Sequence, residues 1–190
     1  MSIERFHVQE NASLFHGDFL FQPIVVSHDD RFGQLCDDNI INTRLCDRGM
    51  FMTPTYEEAR KYCRFPPYFV SRFKAVRSFD VIVVSPELFD ILQNDKDVQD
   101  ITLNGDGMVN CPLSKVIEFH AKSMFEEKTP TPFEDAGLEC ALRLKYPLIN
   151  GYKRNSFSST IGRIVEEFCV WNTVDSPPIV KSDIVLHIRN

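Results

Sequence analysis

The sequence has no run approaching the roughly 18 apolar residues of a membrane span, and its opening segment, MSIERFHVQEN, has no apolar stretch of signal-peptide length. The expectation is a cytoplasmic protein, working in its own or a host's cytosol, with no membrane partner. Positive charge is in deficit: 21 Lys and Arg stand against 27 Asp and Glu, a formal net charge of -6. That excludes a nonspecific clamp on nucleic-acid phosphates, which needs a dense field of cations, although a local basic groove stays open. The six cysteines (Cys36, Cys46, Cys63, Cys111, Cys140 and Cys169) include no C-x-x-C pair and have no histidine at metal-ligand spacing. Reduced structural thiols and no metal are therefore expected. Also missing are a G-x-G-x-x-G loop, an internal repeat and a Gly/Ser-rich linker, so residues 1–190 should form one domain without a Rossmann nucleotide site.

What is present is an ordinary globular balance, 43% hydrophobic and 25% charged, with 16 Phe against one Trp. Ser13 to Gly17 suits a strand that stops at glycine, and a loop-rich stretch follows to about Arg48. Gly49 to Pro54 suits a second strand. Thr55 is placed to cap a helix with Glu57 and Glu58 in its first turn, running to about Cys63. Tyr68–Val76 and Phe79–Val84 have strand composition, and Pro86–Leu92 a short helix. Pro112–Glu126 puts Val116, Ile117, His120, Ala121, Met124 and Phe125 on one stripe; Phe133–Lys145 does the same with Ala136, Cys140, Ala141 and Leu144. An exposed loop is expected at Lys128 to Pro132, between those two helices. Val165–Asn172 and Ile184–Ile188 complete the strands, which gives a mixed α+β pattern.

Three short segments carry the chemistry. Leu14-Phe15-His16-Gly17 comes first, then Gly49-Met50-Phe51-Met52-Thr53 leading into Tyr56 to Cys63, and finally Val165-Glu166-Glu167-Phe168-Cys169-Val170-Trp171-Asn172. Each has an ordinary structural reading alone: a His-Gly turn, core aromatics at Phe51 and Tyr62, a solvated glutamate pair. In a strand, Val165, Glu167, Cys169 and Trp171 share one face and Glu166 the other, so only one of the two glutamates can face a cleft. His120 lies on an apolar stripe and reads as a core histidine, while His7 and His28 carry no signal. Ser158-Ser159-Thr160, ahead of Gly162-Arg163, reads equally as a target-recognition loop or a plain surface loop.

In their order and spacing the three segments resemble the signature of the ADP-ribosyltransferase superfamily. The nearest likeness is to its poly(ADP-ribose) polymerase and diphtheria-toxin-like branch, which uses a His-Tyr-Glu triad. That family's first strand ends in His-Gly, as at His16 and Gly17. Its second block, Gly-aliphatic-Tyr-Phe-Ala, is met by Gly49 and Met50 with Phe51 at the first tyrosine, and its helix ends Tyr-Cys, as at Tyr62-Cys63. Its third block, Asn-Glu-Tyr-Ile-Val-Tyr-Asp, is met in chemical type by Glu166 through Asn172, which makes Glu167 the matching glutamate. Phe51 departs from the pattern by lacking a phenolic hydroxyl. The Arg-Ser-Glu branch fits less well, since no arginine stands at His16 and no clear Ser-Thr-Ser follows. Residues 79 to 160 lie outside the resemblance.

The resemblance implies an α+β fold with an ADP-ribosyltransferase-like split β-sheet core and flanking helices, forming a single catalytic domain. It also implies NAD as substrate. Glu167 would be the catalytic carboxylate, facing the charge that develops on the ribose as the nicotinamide bond breaks. His16 would hold the adenosine ribose. Gly17 would admit the nicotinamide amide to the backbone, and Phe51 and Tyr62 would sandwich its ring. The expected activity is mono-ADP-ribosylation of a macromolecule, with protein favoured over a nucleic-acid base by the acidic balance, in the manner of a bacterial or phage effector or toxin. A chain of this length has no room for the regulatory domains of the large polymerases, so polymer extension is not expected. Two alternatives stand beside this reading: an NAD glycohydrolase, in which water is the acceptor, and an inactive binding module that keeps the fold.

Overall fold

The computed structural model describes residues 3–17, 40–42, 49–63, 68–105, 108–158, 162–171 and 178–187. Cys36, Cys46, His28, Ser159, Thr160, Asn172 and Ile188 lie outside them. The strands are β1 (Arg5–Val8), β2 (Ser13–Gly17), β3 (Ile40–Asn42), β4 (Met50–Met52), β5 (Tyr68–Ala75), β6 (Phe79–Val83), β7 (Thr102–Gly105), β8 (Met108–Pro112), β9 (Gly151–Ser158), β10 (Arg163–Val170) and β11 (Ile179–His187). The helices are α1 (Tyr56–Arg60), α2 (Pro86–Gln93), α3 (Lys96–Gln99), α4 (Leu113–Phe125) and α5 (Pro132–Lys145). The fold is mixed α+β.

Helix starts follow the capping chemistry of the chain. Thr55 accepts from the Glu58 amide at α1, Ser85 caps α2 with Pro86 in its first turn, and Thr131 and Glu134 form a reciprocal capping box at α5. That box shortens the loop expected at Lys128 to Pro132. Pro132 already belongs to α5, and Pro130 is buried.

Five strands form the main sheet in the order β1-β6-β9-β10-β4, antiparallel except for the β6–β9 pair. One face carries Ile82, Tyr152 and Cys169 into a core shared with α2, α4 and α5. The opposite face carries Val81, Phe168, Val170 and Met52 against Leu14, Phe73, Ala75 and Ile179 of a second sheet, ordered β11-β5-β2. A third, small sheet is ordered β3-β7-β8. Residues 85–132, which the sequence left open as a docking element or core, bring Leu88, Leu92, Val98, Leu103, Leu113, Val116 and Ile117 into the helical core, each fully buried. They are part of the body of the fold.

The main and second sheets touch along their edges. Phe15 on β2 and Thr53, just beyond β4, exchange both backbone hydrogen bonds, at 2.9 and 2.8 Å. One antiparallel bridge thus ties two edge strands, and the cleft described next opens beside it.

Candidate active site

A cavity of about 120 Å³ lies at this junction, and His16, Gly17, Phe51, Tyr62 and Glu167 all line it. Phe15, Met52 and Thr53 complete the wall. A cavity of about 150 Å³ holds a benzene molecule, so this space, as the described residues bound it, suits one six-membered ring. Among the described residues, no lysine or arginine lines it.

Glu167 is presented by β10, paired across the sheet with Arg154 of β9. Its side chain is 13% exposed and both oxygens are engaged. The Tyr62 hydroxyl donates to Oε1 at 2.7 Å, and Arg154 Nε donates to Oε2 at 3.1 Å. Glu166 points away and pairs with Lys153 at 3.4 Å. Strand alternation therefore separates the two glutamates, with Glu167 the one at the cleft.

His16 is fixed by a 2.6 Å bond between Nδ1 and the carbonyl oxygen of Phe51. A carbonyl can only accept, so Nδ1 carries the proton of that bond. Gly17 is required by packing: a Cβ there would lie 2.1 Å from the carbonyl oxygen of Ala59 in α1. The absent side chain lets α1 settle on β2 and brings Tyr62, just past the helix, to the cleft. The Phe51 and Tyr152 rings meet in a T-shaped contact, and the Arg154 guanidinium carbon is 5.0 Å from the Phe51 centroid.

Sequence reasoning missed Arg154. It is 4% exposed and also donates through Nη1 to Asp135 Oδ1 at 2.5 Å and to His120 Nε2 at 3.2 Å. Burial opposes its charge, but Tyr152, Asp135 and Glu167 together more than offset this and push the guanidinium well above its ordinary value. His120 Nδ1 lies 3.0 Å from the Glu134 carbonyl and so donates to it, which leaves Nε2 to accept from Arg154. Burial, followed by the Arg154 charge, pushes His120 down to about 3, so the imidazole is neutral. The one signal available was a lone arginine in the polar run Tyr152-Lys153-Arg154-Asn155. Nothing in that run marks which side chain turns inward until its pairing with β10 is known.

Another buried carboxylate steadies the same wall from behind. Glu139 of α5, 2% exposed, accepts from the Gly49 amide at 2.7 Å and from Arg143 at 3.0 Å. A Cβ at Gly49 would come within 2.6 Å of the Cys169 sulfur. Both contacts set the start of β4 and hence Phe51. The described cysteines, Cys63, Cys111, Cys140 and Cys169, are buried free thiols. Among the described residues, no cluster of three or more His, Cys, Asp or Glu is arranged to hold a metal ion, and no helix is long and apolar enough to cross a membrane.

The fold and site define an α+β protein with a ring-sized cleft, a buffered carboxylate at its back and aromatic walls. No family model matches the chain, no curated protein matches it, and no solved structure matches it.

Proposed function

We propose that the protein is an NAD-dependent ADP-ribosyltransferase that takes the nicotinamide end of NAD into this cleft and passes ADP-ribose to a macromolecular acceptor. One observation carries the reading. Residues singled out from three separated segments, His16 and Gly17, Phe51 and Tyr62, and Glu167, line a single ring-sized cavity. Sequence distance gives no reason for that convergence.

The geometry supplies a coherent division of work. Cleaving the nicotinamide to ribose bond leaves positive charge on the ribose, and a fixed carboxylate nearby lowers that barrier without reorganising. Glu167 is fixed by two donors, and each of its oxygens has a second lone pair with which to accept the ribose 2′-hydroxyl. The same carboxylate can orient or deprotonate the incoming nucleophile. His16, fixed through Nδ1, suits a hydroxyl of the adenosine ribose. Phe51 supplies an aromatic wall for the ring, and Tyr62 combines a wall with a proton donor to Glu167.

The purified protein and its Glu167→Gln variant, incubated with labelled NAD with and without cell extract, test the reading. Nicotinamide release with label on a macromolecule, both lost in the variant, is the expected result. Release without label would make the protein a glycohydrolase, and no release under any condition would make the cleft a binding site only. Digestion of the labelled product by protease or by nuclease identifies the acceptor; the acidic balance favours a protein.

A further inference from the structure

Two side-chain ties run from the α1 segment, residues 56–62, to β10. The inner one is the Tyr62 hydroxyl on Glu167, at the cavity. The outer one lies four residues earlier in both segments, where Arg163 Nη2 donates to Glu58 Oε1 at 2.5 Å. Register with β9 is unbroken from Arg163 to Val170, so strand alternation puts Arg163 on the same face as Glu167. Side-chain exposure rises from 13% at Glu167 to 51% at Arg163, so the outer tie stands toward solvent. Lys61 Nζ approaches the same Glu58 oxygen at 3.6 Å. Two cations from different elements thus converge on one carboxylate oxygen. The other oxygen, Oε2, is buried with no hydrogen-bond partner among the described residues, so Glu58 is an incompletely satisfied counter-ion.

A ring-sized cavity takes one end of a dinucleotide and leaves the two phosphates to be met elsewhere. Among the described residues no lysine or arginine lines the cavity, so the cations that meet them stand outside it. At about 3.3 Å per residue, Arg163 is about 13 Å from Glu167 along β10, the scale of a ring, a ribose and a phosphate in series. We infer that Arg163, with Lys61 beside it, forms a diphosphate subsite at the mouth of the cleft, and that Glu58 holds the arginine in place until a phosphate oxygen displaces it. The guanidinium fork donates to carboxylate and phosphate oxygens alike, so the exchange needs only a turn of a half-exposed side chain. The inference rests on the reading that the cavity takes the nicotinamide end of NAD, and it adds which residues hold the diphosphate.

The test uses two probes, nicotinamide, which is the ring alone, and carba-NAD, an uncleavable dinucleotide that adds the diphosphate, with dissociation constants from NMR shift titrations on the whole chain. The wild-type protein should bind carba-NAD at least about tenfold more tightly than nicotinamide, the scale of one hydrogen bond between charged groups. Arg163→Gln should weaken carba-NAD by about the same factor and leave nicotinamide unchanged. Glu58→Gln should tighten carba-NAD about threefold, because phosphate no longer competes with a carboxylate for the arginine. Both variants break the same bridge, so a merely structural bridge moves carba-NAD in the same direction in each, whereas the inference requires opposite signs. Carba-NAD binding that Arg163→Gln leaves unchanged, or that Glu58→Gln fails to tighten, overturns the inference and leaves the ring cavity standing. Wild-type binding of carba-NAD no tighter than that of nicotinamide does the same. Binding of neither probe overturns the cavity reading and this inference together. If one variant fails to melt cooperatively, the sign of the change in the other decides.

Discussion

Tyr62 lines the cleft and gives its proton to Glu167, so the side chain read from the sequence as a wall for a ring also restrains the carboxylate. Tyr62→Phe separates the two tasks, because the ring stays and the 2.7 Å bond goes. Arg154 still holds the other oxygen, and water from the cleft can reach the vacated one. The expected stability loss is therefore about 1 kcal/mol, the net value of a single hydrogen bond, read as a shift in urea midpoint with unchanged slope. Under the proposed chemistry the change falls on turnover more than on KM, since a loosened carboxylate still leaves the ring walls intact. A raised KM with unchanged kcat would mean that the hydroxyl binds ligand and does not orient Glu167.

At the scale of elements, α1 is only five residues long and depends on how closely it meets β2. Gly17→Ala would push a methyl group against the Ala59 carbonyl, which cannot yield as a flexible side chain can. The helix must shift, carrying Tyr62 with it. A loss of about 1–3 kcal/mol is expected, as for other overpacked sites, together with weaker ring binding. A variant with wild-type stability would show that α1 is not pinned where it lies. Elements whose signals are local were legible in the sequence. Thr55 and its acidic first turn announced α1, apolar spacing announced α4 and α5, and β-branched and aromatic residues announced β5, β6 and most of β10. Elements whose signals lie in their partners were not. β1 and β9 are polar runs that become strands by pairing with β6 and β10, and β7, β8 and α3 are too short to show a period. The candidate residues His16, Gly17, Phe51, Tyr62 and Glu167 could be read because strand ends and alternation fix where they point. Arg154, Asp135 and His120 could not, because a buried charge is recognised by its partners and these lie 13 to 34 residues apart in the chain.

For the whole molecule, the main sheet is the common wall of two cores, and the buried set around Arg154 ties it to α4 and α5. His120 makes that set a source of acid sensitivity. Around its imidazole stand Arg154 on Nε2, the Glu134 carbonyl on Nδ1, the Phe89 ring at 5.5 Å and Asp135 at 4.0 Å. The folded value of about 3 lies below the ordinary 6.5, so between those limits the unfolded chain binds a proton that the folded protein refuses. Stability then falls with acidification, by about 1.4 kcal/mol per pH unit below 6.5, and the loss is complete near pH 3. The carboxylates add their own acid dependence, which His120→Gln removes from the comparison. Glutamine can donate to the Glu134 carbonyl and accept from Arg154, yet does not titrate. Trp171, the single tryptophan, is 3% exposed and provides the unfolding signal. Between pH 7 and pH 4.5 the wild-type protein should lose about 2.5 kcal/mol more than the variant, measured by urea titration at each pH. Equal losses would mean that His120 takes up its proton in the folded state. The imidazole could then no longer accept from Arg154, and the bond between the two buried side chains would be lost.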